Sequence, residues 1–307
     1  MEDAEPLGRD MAKGTIVAGC LAPHPPHLVY AENPEQNEPV SEGGWEQLRW
    51  GYERLRESLK NVDYDVIVVL SPHWQTYVGT HFIGVEKCAS KSVDPVFPNL
   101  FRFNYDLNID VELARAIHDQ AESEGMAVKM MENPDFRVDY GTIVSCQMVR
   151  PEWDKPIVSI SSNRSLSYYS VEVMQEMMLE LGRSTAKAIE ESGKKCLLLA
   201  SNSLSHRHFV TETNPPEDMS KEHIASHAMH LWDMRMIEMM RQGKSQQLID
   251  EMPEFCEQAI AEADGGALTW LLSALDVPEQ PAILHGYGTI IGTGNAIMEW
   301  PCHSWEE

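Results

Sequence analysis

Three apolar runs in the sequence are each followed, within a few residues, by histidine. The pairs are Thr15–Leu21 with His24, Val66–Leu70 with His73, and Leu197–Ala200 with His206 and His208. Neutral imidazole is the most common metal ligand among side chains, and several imidazoles on preorganised loops are typical of a transition-metal site. If the three runs are parallel neighbouring strands, their loops leave the same edge of the sheet. The pattern then predicts a metal centre at that edge.

The first of these histidines lies in a segment that proline makes rigid. Pro23, Pro25 and Pro26 surround His24 and precede His27. Proline fixes φ, lacks an N–H and restricts the residue before it, so regular structure is expected to stop here. The two histidines are therefore predicted to lie just past the carboxyl end of a strand, which is where open α/β sheets place their sites.

The remaining histidines have a simpler interpretation. A histidine considered alone is more often a surface or packed residue than a ligand, and this interpretation applies to His81, His118, His223, His227, His230 and His303. Three of them, His223, His227 and His230, share one helical face at a spacing that resembles a metal-binding pair. They lack the glutamate of an H-E-x-x-H arrangement, so this cluster remains a weaker alternative.

A third ligand is expected to be a carboxylate if the metal activates O₂, because two histidines and one carboxylate on one face leave open positions. The sequence has 48 acidic residues, so composition does not choose one. Glu262 lies among small apolar residues beside the Gly265–Gly266 pair, where a backbone can approach closely. Glu257 and Asp264 lie nearby, and the pattern alone leaves all three open.

The elements around these residues alternate between strand and helix patterns. Predicted strands are Thr15–Leu21, Val66–Leu70, His81–Val85, Phe101–Leu107, Pro156–Ile160 and Lys195–Ala200, with one or two more in Ala282–Trp300. One predicted helix starts near Trp45, and a second follows an N-cap at Asp110. Two more cover Ile143–Val149 and Val171–Ser192. Residues 220–275 are predicted to be mainly helical, with a break at Pro253.

This order predicts an α/β fold, a single domain with a central mixed or parallel sheet flanked by helices and a helical C-terminal part. We expect residues 1–12 to form a flexible tail and residues 13–305 to form the single catalytic domain. The segment Arg137–Thr142 is predicted to be a turn that leads into the helix at Ile143.

Charge and composition exclude several classes of function. The net charge of −24 over 307 residues argues against nucleic acid or an anionic membrane surface as a partner, since both need basic patches. No apolar run is long enough for a membrane span, and the acidic start does not resemble a signal peptide. Six cysteines without a C-x-x-C pair fit a reducing cytoplasm.

Four separated motifs carry a resemblance to a known family. They are Ala-Pro-His-Pro-Pro-His-Leu (22–28), Ser-Pro-His-Trp (71–74), Val-Asp-Tyr-Gly-Thr (138–142) and Ser-Asn-Ser-Leu-Ser-His (201–206). In this order they resemble the class III extradiol ring-cleaving dioxygenases, the family of the protocatechuate 4,5-dioxygenase catalytic subunit. The likeness extends over nearly the whole chain from about Met11.

The resemblance implies a metal site and its ligands. His24 and His73 match the two histidine ligands of the family, and the family's late glutamate falls on Glu262. The implied cofactor is Fe(II), held by these three residues with positions left for substrate and O₂. His27 matches no ligand and is expected to support the site from behind.

The resemblance also implies two catalytic residues and a substrate. His206 matches the family's acid/base histidine, and Tyr140 stands where several catechol-cleaving relatives have histidine. Aminophenol-cleaving members resemble this chain in having tyrosine there, so 2-aminophenol is the implied substrate and 2-aminomuconate 6-semialdehyde the product. Catechol or a substituted aminophenol, and a non-catalytic binding scaffold with this fold, are the alternatives. The implied partner is a homologous non-catalytic α subunit in an α₂β₂ complex.

Overall fold

The protein is described by a computed structural model that covers residues 12–26, 28–31, 44–94, 98, 101–163, 169–207 and 224–302. The strands are β1 (Thr15–Leu21), β2 (Val66–Thr76), β3 (Thr80–Ile83), β4 (Lys87–Val93), β5 (Arg102–Asn108), β6 (Val128–Met131), β7 (Ile157–Asn163), β8 (Lys195–Ala200), β9 (Ile283–Ile290) and β10 (Thr293–Pro301). The helices are α1 (Leu28–Ala31), α2 (Gly44–Leu59), α3 (Val111–Ser123), α4 (Tyr140–Val149), α5 (Val171–Ser192), α6 (His227–Arg241), α7 (Ser245–Ala259) and α8 (Gly266–Ala274), with a 3₁₀ turn at Glu262–Gly265.

Eight of these strands form one sheet in the order β6-β3-β7-β2-β8-β1-β10-β9, and β4 pairs with β5 in a separate ribbon. The four central strands, β7, β2, β8 and β1, run parallel to one another, whereas β3 is antiparallel to β7, β10 to β1 and β9 to β10. Parallel strands buried on both faces are continuous apolar runs, as β1, β2 and β8 are. The predicted mixed α/β sheet is confirmed.

The central register brings the histidine-bearing loops to one level. Ala200 of β8 is the partner of Leu21 on one side and of Leu70 on the other. Because the three strands run in parallel, the chain after each of these residues leaves the same edge of the sheet. The condition for a shared edge, that the three strands run in parallel beside one another, is therefore met.

Helices cover both faces of the sheet. Val66, Val68 and Leu70 point into a core shared with α3, α5, α6, α7 and α8. The alternate residues Ile67 and Val69 point into a second core shared with α2, α4 and the β4–β5 ribbon. This alternation follows from the two-residue period of a strand, and it fixes the sheet between two layers.

The predicted break at Pro253 is wrong, because α7 continues through that residue. Proline cannot donate the helical hydrogen bond to the carbonyl four residues before it. That carbonyl, Ile249 O, instead accepts a bond of 3.4 Å from the Gln175 side chain of α5. A neighbouring helix thus replaces the missing donor, which local sequence does not reveal.

Several boundaries also differ from the predictions. β2 runs on to Thr76, and α4 begins at Tyr140 with Asp139 as its N-cap, so Tyr140 is helical rather than part of a turn. β4 and β6 were not predicted, since one is a polar strand of a two-stranded ribbon and the other has four residues. The helical C-terminal part, α6 to α8, precedes two final strands, β9 and β10.

The expected N-terminal tail, residues 1–12, lies outside the described residues apart from Ala12. None of the helices in the described ranges is both long and apolar enough to cross a membrane.

Candidate metal centre

His24 is buried just beyond β1, and its ring is oriented by serine. Its Nδ1 lies 2.9 Å from Ser201 Oγ, which also donates to Gly141 O at 2.9 Å. Ser145 Oγ donates to Ala22 O at 2.6 Å. Ser201 gives its one hydroxyl proton to Gly141 O and therefore accepts from the imidazole, and this assignment puts the His24 proton on Nδ1. The lone pair of His24 is then on Nε2, which faces Glu262.

His73 lies inside β2, at an irregular point of the strand. The register between β2 and β7 shifts between Ser71 and Gln75, so the residues between them bulge out of the ladder. A bulge re-aims side chains at the edge of a sheet, which is its common use beside functional sites. The prediction that His73 follows the strand is wrong in boundary, although the side chain still reaches the same sheet edge.

Tyr140 lies against His73. Its hydroxyl is 2.9 Å from His73 Nε2, and the ring centroids are 4.1 Å apart. Burial first, and then the Glu262 carboxylate, raise the pKa of Tyr140 well above its ordinary value. The phenol is therefore protonated, and its hydroxyl is a hydrogen-bond donor within reach of His73 Nε2.

Asp139 joins the start of α4 to β2. One carboxylate oxygen, Oδ2, accepts from Thr142 N at 3.0 Å and from Ser71 Oγ, while Oδ1 accepts from Thr142 Oγ1 at 2.9 Å. Between them, Gly141 packs so closely that an added Cβ would be 2.5 Å from Ser71 Oγ and 3.2 Å from His73 Cδ2. This contact fixes Tyr140 relative to His73.

Glu262 is buried at the start of the 3₁₀ turn, and its two carboxylate oxygens have different surroundings. Oε2 accepts hydrogen bonds from the backbone N–H of Ser203, from Ser203 Oγ at 2.9 Å and from Asn202 Nδ2 at 3.3 Å. All three donors follow β8 directly. With Oε2 satisfied, Oε1 is directed away from the loop and towards the histidines.

The backbone also ties Glu262 to the histidine that follows β8. Glu262 N donates to Leu204 O at 3.1 Å, and His206 N donates to Ile260 O at 2.9 Å. These two bonds make residues 204–206 and 260–262 a short antiparallel pair. Glu262 and His206 are thereby placed side by side.

Three imidazoles converge on one carboxylate oxygen. Glu262 Oε1 lies 3.2 Å from His24 Nε2, 3.4 Å from His73 Nε2 and 3.5 Å from His206 Nε2. Potential ligand atoms of His24, His73 and Glu262 all lie within 4.8 Å of one another. Burial alone would raise the pKa of Glu262, but the adjacent imidazoles of His24, His206 and His73 outweigh burial and hold that pKa well below its usual range.

This donor set fits a divalent transition metal. Two imidazole nitrogens with free lone pairs and one ionised carboxylate oxygen point at a common position, and such a facial set is typical of non-haem iron oxygenases. His24 Nδ1 is bonded to Ser201, and Glu262 Oε2 is bonded to Ser203 and Asn202, which is how proteins orient metal ligands through supporting hydrogen bonds.

The alternatives from the sequence are not brought to this position. Glu257 is exposed on α7, and Asp264 points elsewhere in the 3₁₀ turn with an intermediate exposure. His227 and His230 form a separate pair on α6, with ring centroids 6.5 Å apart. His118, Asp119 and Glu122 form a second possible cluster on α3, where both acidic groups are exposed. His27, His208, His223 and His303 lie outside the described residues.

Sequence reasoning missed the residues that hold the site. Ser201, Asn202 and Ser203 were recognised only as part of a motif, although small polar residues directly after a buried strand are a signal for such a role. Asp139 was readable as an N-cap, since its oxygens bind the first turn of α4. Its bond to Ser71 depends on tertiary packing and has no local signal.

Comparisons with known proteins agree with this geometry. Residues 18–296 match the family described as "Catalytic LigB subunit of aromatic ring-opening dioxygenase". The chain is 56% identical over 290 residues to a Pseudomonas 2-aminophenol 1,6-dioxygenase beta subunit, covering 94% of this chain and 95% of that relative. It is 26% identical over 289 residues to a Pseudomonas alpha subunit of the same name, covering 93% and 99%.

A solved structure extends the comparison to the fold. The crystal structure of an uncharacterized protein from Escherichia coli K12 superposes with a TM-score of 0.61, at 16% identity, over 92% of this chain and 99% of that one. At that identity the likeness concerns the fold alone. The family match over residues 18–296 and the beta-subunit relative confirm the ring-cleaving dioxygenase expected from the four motifs. The chain belongs to the family of catalytic LigB subunits of aromatic ring-opening dioxygenases.

Proposed function

We propose that this chain is the catalytic β subunit of an Fe(II)-dependent 2-aminophenol 1,6-dioxygenase. It cleaves 2-aminophenol with O₂ to 2-aminomuconate 6-semialdehyde, and both oxygen atoms of O₂ enter the product. The observation that carries the proposal is the single carboxylate oxygen of Glu262 facing three imidazole nitrogens. The substrate follows from the beta-subunit relative at 56% identity.

Fe(II) is held in this proposal by His24 Nε2, His73 Nε2 and Glu262 Oε1. The nitrogen and oxygen donors suit a borderline divalent metal, and three protein ligands on one face leave the opposite face open. The chemistry that bound Fe(II) supplies is the activation of O₂ towards an electron-rich aromatic ring. Ser201 keeps the His24 proton on Nδ1, and Ser203 keeps Glu262 Oε2 out of the ligand position.

His206 acts as the acid/base residue. Its Nε2 is 3.5 Å from Glu262 Oε1, and its side chain remains about a quarter exposed, so it borders both the ligands and the open side of the site. A histidine in this position accepts the phenolic proton of the substrate and returns it later in the reaction. Its backbone pairing with Ile260 keeps the ring in reach of the ligands.

Tyr140 supplies a hydrogen-bond donor. Its raised pKa keeps the phenol protonated at neutral pH, so it donates and does not compete with Glu262 as an anion. Once the His73 lone pair is used for a metal, the Tyr140 hydroxyl is left to donate to the bound aromatic substrate or to O₂. The aromatic ring of Phe101, with its centroid 6.0 Å away, packs on Tyr140 from the other side.

The partner in this proposal is a homologous non-catalytic α subunit, in an α₂β₂ complex. The support is the alpha-subunit relative, which aligns over 93% of this chain. A cytoplasmic location fits the free cysteines, four of which are buried.

Anaerobic reconstitution with Fe(II), followed by O₂ uptake with 2-aminophenol and with catechol, tests the proposal. We expect one O₂ consumed per 2-aminophenol, formation of the ring-opened semialdehyde, and a higher kcat/KM for 2-aminophenol than for catechol. Preferred turnover of catechol would replace the substrate. Failure to bind Fe(II) or to consume O₂, with and without the α subunit, would favour the non-catalytic scaffold.

A further inference from the structure

One buried carboxylate of the protein is not used by the proposed metal centre. Asp233 of α6 is fully buried, and it lies on the same helical stripe as Met229, Met236 and Met240, which are also buried. An ionised carboxylate in such a layer is unfavourable unless hydrogen bonds compensate it. Its partners therefore explain why an aspartate stands at this position.

Both oxygens of Asp233 bind the residue next to His206. Oδ1 accepts from the backbone N–H of Ser205 at 2.9 Å, and Oδ2 accepts from Ser205 Oγ at 2.8 Å. Oδ2 also accepts from the Tyr287 hydroxyl at 2.8 Å, which in turn lies 3.3 Å from His230 Nδ1. Burial raises the pKa of Asp233 to about 6, against the opposing hydrogen bonds from Ser205 and Tyr287, so the carboxylate is ionised at neutral pH.

The segment of residues 204–206, which Asp233 binds through Ser205, forms backbone hydrogen bonds on both sides. Leu204 N donates to Gly294 O at 2.8 Å, and Gly294 N donates to Ser205 O at 2.9 Å, which fixes the segment to β10. On its other side the segment pairs with residues 260–262. Glu262 has separate bonds to Ser203 and Asn202, so a displacement of Ser205 would move His206 more than Glu262. Gly294 leaves room for the carboxylate, since an added Cβ would be 1.7 Å from Asp233 Oδ2.

We propose that Asp233 is the positioning residue of the acid/base histidine: its carboxylate fixes the backbone and side chain of Ser205 and thereby holds His206 in reach of the metal ligands. The proposal rests on the acid/base role of His206 given under the proposed function. Asp233 contacts neither the ligands nor the substrate position, and it acts only through Ser205. A misplacement of about 1 Å in a reacting group costs on the order of 100-fold in rate.

The main variant is Asp233→Ala in the Fe(II)-loaded α–β complex. We expect kcat to fall roughly 10- to 100-fold, because His206 is no longer held in place. KM and Fe(II) content should remain near those of the wild type, since Glu262 keeps its bonds to Ser203 and Asn202. Asp233→Asn should recover most of kcat, because its amide oxygen still accepts from Ser205 N. Asp250→Ala, at an exposed position of α7, is the matched control.

Two measurements separate positioning from general destabilisation. In a His206→Phe background, Asp233→Ala should cause no further loss of kcat, because the residue that it positions is already absent. Amide hydrogen exchange at Ser205 and His206 should increase in Asp233→Ala more than exchange in the central strands. Equal losses in both backgrounds, or unchanged exchange at Ser205, would overturn the proposal.

A failure of the acid/base role is distinguishable from a failure of this proposal. If His206→Phe alone keeps the wild-type rate, the role of His206 is wrong, whereas the exchange of the Ser205 amide still reports on Asp233. If Asp233→Ala does not fold, Gly294→Ala on β10 is the second variant, because its added methyl group displaces the Asp233 carboxylate. A wild-type kcat in folded Gly294→Ala, with unchanged exchange at Ser205, would contradict the proposal.

Discussion

Glu262 and Glu299 are both buried glutamates beside histidine, yet only one has the surroundings of a metal ligand. Glu299 Oε2 lies 2.7 Å from a single imidazole, His285 Nε2, and its Oε1 has no partner among the described residues. Glu262 Oε2 has three donors and its Oε1 faces three imidazoles. A single imidazole beside a carboxylate forms one hydrogen-bonded pair, as at Glu299. Three imidazoles around one carboxylate oxygen, as at Glu262, provide nitrogen lone pairs that a cation can bind.

The backbone of the two regions differs as well. Glu299 belongs to strand β10, in register with Cys20 and Ile283, and no residue of β10 has a positive φ. Glu262 starts a turn in which Ala263 has φ 44° and Asp264 has φ 55°. Non-glycine residues in the left-handed region are unfavourable and occur where surrounding structure imposes them. The Glu299–His285 pair belongs to extended strand backbone, whereas the strained turn places Glu262, the proposed ligand, beside the three histidines.

The largest expected effect separates the two glutamates directly. Glu262→Ala should lose Fe(II) binding and reduce turnover to that of the metal-free protein, because the only anionic ligand is removed. Iron content and O₂ uptake after anaerobic reconstitution measure this. Glu257→Ala, on the exposed face of α7, is the control and should keep both. Full retention of iron in Glu262→Ala would show that another carboxylate is the ligand.

The next effect concerns the third imidazole of the metal centre. His206→Phe should lower kcat by about 10² to 10⁴-fold, the usual contribution of a general acid/base, while Fe(II) remains bound. Steady-state kinetics together with iron analysis test this, and His118→Phe on α3 serves as the histidine control. A wild-type rate would contradict the acid/base role, and loss of iron would make His206 a ligand.

A smaller effect is expected at Ser201, which is hydrogen-bonded to the proposed ligand His24. Ser201→Ala removes the oxygen that accepts from His24 Nδ1, so the ring loses its fixed tautomer and orientation. Such supporting groups contribute about 10- to 100-fold to metal affinity. An anaerobic Fe(II) titration measures the change. Ser184→Ala, at a buried serine of α5 whose hydroxyl has no hydrogen-bond partner among the described residues, is the control. Equal affinities for the two variants would show that Ser201 does not act on His24.

The smallest effect on turnover is expected at the pair of Glu299 and His285. His285→Ala should leave Fe(II) content and kcat unchanged but lower the free energy of unfolding by about 3 kcal/mol, since Glu299 would be buried without a partner. Denaturant unfolding measures this, with Glu299→Gln as a variant that keeps a partner for His285. A loss of iron in His285→Ala, without unfolding, would contradict the separation of the two regions.

The sequence predicted the parts of the site that depend on repeated local pattern. The apolar runs before His24, His73 and His206 are strands of one sheet, and such continuous apolar runs are typical of parallel strands buried on both faces. Glu262 was chosen only through the resemblance, since nothing local separates it from Glu257. The reason is tertiary: the Ser203 donors and the histidines that distinguish Glu262 come from other parts of the chain.

Other features were beyond local pattern for the same reason. The bulge that aims His73 arises from the pairing of β2 with β7, and Pro253 is tolerated because Gln175 of another helix binds the freed carbonyl. Asp233 did carry a signal, because it occupies an apolar stripe of α6. A lone carboxylate on such a stripe indicates a buried network, although its partner Ser205 is visible only in the fold.

An anomalous difference map at the iron absorption edge, from crystals grown anaerobically with Fe(II), tests the central claim most directly. We expect one peak per chain, within bonding distance of His24 Nε2, His73 Nε2 and Glu262 Oε1. His206 should lie beside this peak without being a ligand. A peak at His118, Asp119 and Glu122, or no peak between the two histidines and Glu262, would contradict it.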